Sequence, residues 1–322
     1  MKNRKADDMT DTLQAVTSED TSIQTHNGYG TTLAAVTYLP AGFDAEGSYP
    51  AIVVSHPGGG VKEQTAGLYA RKLAGHGFVT IAYDASFQGA STGTPRQLEN
   101  PYIRTEDVSA VVDHLTTLPY VDADRIGAMG ICAGAAYTAN AAINDPRIKA
   151  VGTVSMVNIG QMFRNGWDGA MADADAAPVL AQAAAARTSD ATGAPDGNQF
   201  PLAPLRKEDA PSPELEEAWE YYRTSRCEHP NAPSWMTTRS LSQIVTYDAF
   251  HKAETFLTQP LLLVAGSEAG SKWMSEDLYG RAASTDKSFH VVEGANHMSL
   301  YDGEKYVEEV VGALAPFFTE RL

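Results

Sequence analysis

The sequence predicts an α/β protein: a mainly parallel central sheet flanked by helices, interrupted by an inserted helical cap. Three observations predict it. Strand-like and helix-like segments alternate along much of the chain, the pattern of βαβ units. Several strands are short continuous apolar runs, such as Pro260 to Gly266, as expected where both faces of a strand are buried. The alternation then stops between residues 158 and 252 and resumes afterwards, which marks an insertion.

Residues 1–20 are polar and aperiodic and read as a flexible leader that joins the fold only at its end. From Ser22 short strand-like runs follow, Thr31 to Leu39 and Ala51 to Ser55, separated by turns rich in Gly and Pro. Glu63 to His76 has helical spacing and ends at Gly77; Phe78 to Tyr83 is strand-like, and Ile103 to Leu118 is helical again. Arg125 to Ile131 is a strand, Ala133 to Ile143 an Ala-rich helix, and Ile148 to Ser155 a further strand. The core is thus expected over 21–157 and 253–322, with the cap at 158–252. The cap carries Phe163, Trp167, Trp219, Tyr221, Tyr222 and Trp235, which either pack it onto the core or line a substrate pocket. The last elements are strand Pro260 to Gly266, helix Met274 to Ala283, strand Ser288 to Glu293 and a helix from Glu304 to Phe318.

Composition narrows the function. A 43% hydrophobic and 20% charged chain is that of an ordinary globular protein with enough length for a large core. The formal net charge of -16, from 24 basic and 40 acidic residues with no basic cluster, repels phosphate backbones and anionic lipid, so neither nucleic acid nor membrane is an expected partner. Lys2, Arg4 and Lys5 are followed by Ala6-Asp7-Asp8, not by the apolar run of an export signal. No apolar stretch approaches the roughly 20 residues of a membrane span. The two cysteines, Cys132 and Cys227, lie in segments of different character and form no disulfide framework, so a reducing, cytoplasmic setting is expected.

Chemistry concentrates at Gly130-Ile131-Cys132-Ala133-Gly134, between a predicted strand and a predicted helix. A nucleophile on a sharp strand-to-helix turn needs small residues two positions either side, because the backbone is strained and helix and sheet are close. Gly130 and Gly134 meet that need. The helix N-terminus is expected to lower the thiol pKa. Taken alone, the motif equally describes a buried structural cysteine in a small-residue turn. Chain order separates the two: a histidine belongs in the loop before the last helix, and of the eight histidines only His297 has that address. For the acid, Glu268 in the loop after the Pro260 to Gly266 strand is the first candidate, with Asp277 and Asp302 as rivals and a site without a strong acid also open. Ser55-His56-Pro57-Gly58-Gly59-Gly60 follows an early strand; Gly58 or a neighbour can aim a backbone N–H at an oxyanion, paired with the N–H of Ala133. The turn-rich stretch Asp84 to Gly93 reads as loop scaffolding.

These segments together resemble the dienelactone-hydrolase-like branch of the α/β-hydrolase superfamily, and within it the long, capped bacterial members related to polyketide transferases. The resemblance runs from about Ser22 to the C-terminus and rests on His56 to Gly60, Tyr83 to Gly89, the Cys132 elbow, and His297 followed by Leu300-Tyr301-Asp302. It implies the α/β-hydrolase fold and hydrolysis or transfer of an ester, lactone or thioester acyl group of a small molecule, with no metal or cofactor. Two departures stand out: members commonly carry an aspartate where Glu268 is proposed, and Ala133 and Ala135 replace glycines often present in the elbow. On this reading Cys132 forms an acyl-enzyme, His297 moves the proton, Glu268 orients the imidazole, and the Gly58 and Ala133 amides bind the oxyanion. Thiolate is itself a good leaving group, so activated acyl groups are favoured over peptides. An acyltransferase with the same residues, and a non-catalytic binding protein on the same scaffold, are the competing readings.

Overall fold

The computed structural model describes residues 16–193 and 198–322. Most of the expected leader, 1–15, lies outside the described residues. The strands are β1 (Thr17–Gln24), β2 (Thr32–Leu39), β3 (Tyr49–Ser55), β4 (Val79–Tyr83), β5 (Val121–Ile131), β6 (Ile148–Val154), β7 (Gln199–Pro201), β8 (Trp235–Thr237), β9 (Leu261–Gly266) and β10 (Lys287–Val292). Eight of them form one sheet in the order β1-β2-β4-β3-β5-β6-β9-β10. From β4 to β10 every neighbouring pair is parallel; β1 on β2 and β2 on β4 are antiparallel. The expected α/β-hydrolase architecture is therefore what the chain adopts.

The pleat explains how the sheet is covered. Successive side chains alternate faces, and on β3 Ala51 and Val53 enter one apolar cluster while Ile52 and Val54 enter the other. The first cluster takes the helices at 101–115, 133–144 and 272–281; the second takes those at 67–74 and 304–321. The central strands β4 and β9 are buried at every residue, which is why they read as unbroken apolar runs. At the antiparallel edge β2 instead alternates buried and half-buried positions.

Two boundaries differ from the sequence expectation. β1 already pairs with β2 from Thr17, so 17–20 belong to the sheet and not to a leader; its residues are mostly exposed, so no apolar run announced it. The insertion's regular elements are mostly helices, yet it also holds the antiparallel pair β7 and β8, each too short to show a period. Among the described residues no helix is long and apolar enough to cross a membrane.

Candidate active site

Cys132 stands between β5 and the helix Ala133–Asn144 with φ 57° and ψ -124°, a region that L-residues adopt only under strain of about 1–3 kcal/mol. The turn is possible because both flanking glycines sit against backbone. A methyl group on Gly134 would strike the carbonyls of Ser55 and His56, and one on Gly130 would strike the carbonyl of Gly134. The Cys132 N–H donates to Val154 O across to β6, while its carbonyl accepts from Ala135 and Val157. The sulfur is thereby lifted off the sheet's end.

Opposite it, Gly60 N–H donates to Pro57 O and closes the turn that carries Gly58. This loop is braced from below by charge. The buried Arg104 guanidinium donates to His56 O at 2.7 Å, to Gln88 at 3.1 Å and to Glu99 at 3.3 Å, and lies over the Tyr137 ring. His56 donates from Nδ1 to Pro57 O and accepts the Ala85 N–H at Nε2; burial, reinforced by Arg104, drives its pKa well below 6.5, so this ring is a neutral strut. The 84–93 stretch is scaffolding as expected: Asp84 accepts from the N–H groups of Lys62 and Ala90 and from the Lys62 ammonium. The N–H groups of Gly58 and Ala133 and the Tyr301 hydroxyl stand close enough to the Cys132 sulfur to favour its thiolate. Even so, burial dominates and pushes the thiol above its ordinary value. The expectation that the helix end yields a low thiol pKa is thus corrected: desolvation outweighs the N-terminal dipole at this half-buried residue.

His297 is buried in the loop after β10, with its ring against Trp167 at 4.8 Å between centroids. Its Nδ1 faces Ser271 Oγ at 2.7 Å and its Nε2 faces Tyr301 Oη at 3.2 Å. Burial alone lowers its pKa to about 3, so the resting imidazole is neutral. The expectation that Glu268 orients this ring is also corrected. Glu268 is exposed and, among the described residues, makes no hydrogen bond to His297; its own N–H donates to Ala295 O. The rivals are engaged elsewhere, Asp277 with Gln161 and Arg281, Asp302 with Arg226. A hydroxyl holds the ring in place of a carboxylate. Ser271→Ala is therefore expected to slow single-turnover acylation by about 10-fold, the worth of one buried hydrogen bond, whereas Glu268→Gln should stay within about twofold, as for an exposed site. A larger loss in Glu268→Gln than in Ser271→Ala would reinstate the glutamate.

The cap supplies a carboxylate that no core motif announces. Glu214, on helix Pro213–Arg223, accepts the His297 backbone N–H at 2.7 Å with one oxygen. The other oxygen takes Trp167 Nε1 at 2.6 Å and the Gly270 N–H at 3.2 Å. It ties the cap to both loops that carry the imidazole and its partner. Between cap and core lies a cavity of about 70 Å³, its wall mostly apolar through residues such as Val157, Met162, Leu202 and Leu215, with Cys132, Gly58 and His297 also lining it. Of the cap aromatics singled out by sequence, Trp167 and Tyr222 line this cavity; Phe163 packs on Phe200 and Tyr221 on Tyr301. Among the described residues no group of His, Cys, Asp and Glu is placed to hold a metal ion.

The site thus brings together Cys132, Ala133, Gly58 and His297 as the sequence suggested, and leaves Glu268 outside. Ser271, Tyr301, Glu214 and Arg104 were not assigned roles from sequence. Tyr301 carried a usable signal, since a residue four positions after His297 falls on the same side of a helical turn.

The chain is similar in sequence and fold to known proteins. A family model described as the alpha/beta hydrolase family matches residues 36–311. Over 290 residues, 90% of this chain and 94% of the relative, the chain is 65% identical to the uncharacterized protein YcjY of Escherichia coli strain K12. It superposes on the crystal structure of hypothetical protein PA2218 from Pseudomonas aeruginosa with a TM-score of 0.87 and 34% identity, covering 96% of this chain and 94% of the other. A protein of Eupenicillium brefeldianum named thiohydrolase is 23% identical over 281 residues, 86% of this chain and 87% of the relative. With its sheet order, its elbow and a family match over most of its length, the chain belongs to the alpha/beta hydrolase family.

Proposed function

We propose that the chain is a hydrolase that removes apolar acyl groups from activated esters, lactones or thioesters of small molecules through an acyl-enzyme on Cys132. The observation that carries this reading is that Gly58, Cys132, Ala133 and His297 line one largely apolar cavity, with the Gly58 and Ala133 N–H groups beside the Cys132 sulfur. A carbonyl carbon within bonding distance of the sulfur would bring its oxygen to the same two donors, which is the geometry an oxyanion needs. The sulfur attacks, its proton passes to the His297 imidazole, the leaving group departs with that proton, and water cleaves the thioester with the same imidazole as base. Because thiol and imidazole both rest neutral, proton transfer accompanies attack and no preformed thiolate is stored.

The apolar wall, built from residues such as Val157, Met162, Leu202 and Leu215, selects a hydrophobic acyl chain. The likeness to a protein named thiohydrolase supports thioesters among the substrates, and a cysteine elbow agrees with the dienelactone-hydrolase-like branch. Both cysteines are free thiols, which fits a reducing cytoplasm. A panel of hexanoyl and succinyl thioesters, aryl esters and amides tests the reading. Hexanoyl thioester and aryl ester should turn over at least about 10-fold faster than their succinyl counterparts, since a charged acyl chain would be desolvated without a partner, and amides should be inert. Equal rates for charged and apolar chains, or no turnover of any activated acyl compound, would contradict it. Adding an alcohol or amine to the same assay shows whether acyl transfer competes with hydrolysis.

A further inference from the structure

Among the described residues, the ring nitrogens of His297 hydrogen-bond to Ser271 and to Tyr301, and not to Cys132. The Tyr301 hydroxyl stands beside both: it lies 3.2 Å from His297 Nε2, lines the same cavity as Cys132, and is close enough to the sulfur to favour its thiolate. We propose that the Tyr301 hydroxyl is the proton relay between Cys132 and His297, a catalytic residue beside the nucleophile. The inference rests on the reading of Cys132 as nucleophile.

The placement of this hydroxyl is fixed by packing. The Tyr301 ring meets Tyr221 edge-on at 5.1 Å and is tilted against the His297 ring at 5.4 Å. It also meets the Tyr222 ring edge-on at 6.4 Å, and its backbone carbonyl accepts from Thr65 Oγ1 at 2.9 Å. The residue is 1% exposed, so solvent does not compete for the hydroxyl.

The transfer balances in protons and electrons. As the sulfur forms its bond to the acyl carbon, the S–H proton moves to Tyr301 Oη while the Oη–H proton moves to His297 Nε2. The tyrosine ends as it began, a neutral hydroxyl. The imidazole becomes imidazolium, with Nδ1–H donating to Ser271 Oγ. Burial holds the phenol pKa well above its ordinary value, so a free tyrosinate is disfavoured and the two protons move together.

The experiment is a proton inventory: single-turnover acylation by a hexanoyl thioester in mixtures of light and heavy water, for the wild-type chain and for Tyr301→Phe. The wild type should give a curved inventory, two protons in flight, and Tyr301→Phe a linear one with acylation slowed by about 10²–10³-fold. A residue that only packs would not change the shape of the inventory. A linear wild-type inventory overturns the relay, and because it needs no variant it decides the matter even where Tyr301→Phe fails to fold. Acylation of folded Tyr301→Phe within about threefold of wild type overturns it as well. In either case acyl label still found on Cys132 confines the failure to the relay; label absent from Cys132 in an active wild type removes the nucleophile reading and the relay with it.

Discussion

Cys132→Ala is expected to lower acyl turnover by about 10⁴–10⁶-fold, the range seen when a covalent nucleophile is removed from an otherwise intact site. The Gly58 and Ala133 donors remain, so what survives is the residual rate of an oxyanion site without its nucleophile. The variant should fold. Its β-carbon occupies the same strained backbone, at φ 57°, and only the sulfur is lost. Cys132→Gly separates strain from chemistry: it should be as inactive as Cys132→Ala yet more stable than that variant by about 1–3 kcal/mol, because glycine adopts this region without penalty. Thermal melts beside single-turnover rates check both points. A Cys132→Ala chain that retains turnover within about 10-fold would mean the chemistry lies elsewhere.

His297→Ala is expected to slow acylation at neutral pH by about 10³–10⁴-fold, since no base then receives the thiol proton. The pH dependence carries more information than the loss. In the wild type His297 is held to about 3 against an ordinary 6.5, so it stays unprotonated as pH falls through 6.5, and the acid limb of activity should lie well below that of a surface histidine. In His297→Ala the reaction must wait for ionisation of a thiol that burial has raised. Its acylation rate should therefore climb about 10-fold per pH unit through the alkaline range, where the wild type has no such need. Stability follows the same sign. A histidine whose folded pKa is depressed contributes stability above 6.5 that is lost as pH falls toward 3, so His297→Ala should be less acid-sensitive than wild type over that window. An acid limb near 6.5 in the wild type would mean that the imidazole is solvated in the working state.

What the sequence revealed and what it hid divide along a physical line. The sheet was legible because strands buried on both faces, such as β4 and β9, leave continuous apolar runs. Cys132, Gly130, Gly134 and His297 were legible because a sharp turn restricts residue size and the fold restricts chain order. Glu268 was misread because chain position locates a loop and not the direction of its side chains; the glutamate is exposed, and Ser271, 1% exposed, stands against the ring. The thiol pKa was misread for the opposite reason: the helix end is local and visible in sequence, whereas the burial that outweighs it comes from the distant cap. Trp167 was already among the cap aromatics offered as pocket residues, whereas Glu214 stayed hidden because nothing in the sequence says where helix Pro213–Arg223 docks on the core.

The central claim, that Cys132 carries the acyl group, is tested most directly by intact-mass and peptide-mapping analysis of the chain quenched during turnover of a hexanoyl thioester. The account predicts one added hexanoyl mass on the peptide that contains Cys132, released by hydroxylamine and absent from Cys132→Ala. Acyl label on a different residue, or full turnover by the wild type with Cys132 remaining open to iodoacetamide at every time point, would contradict it.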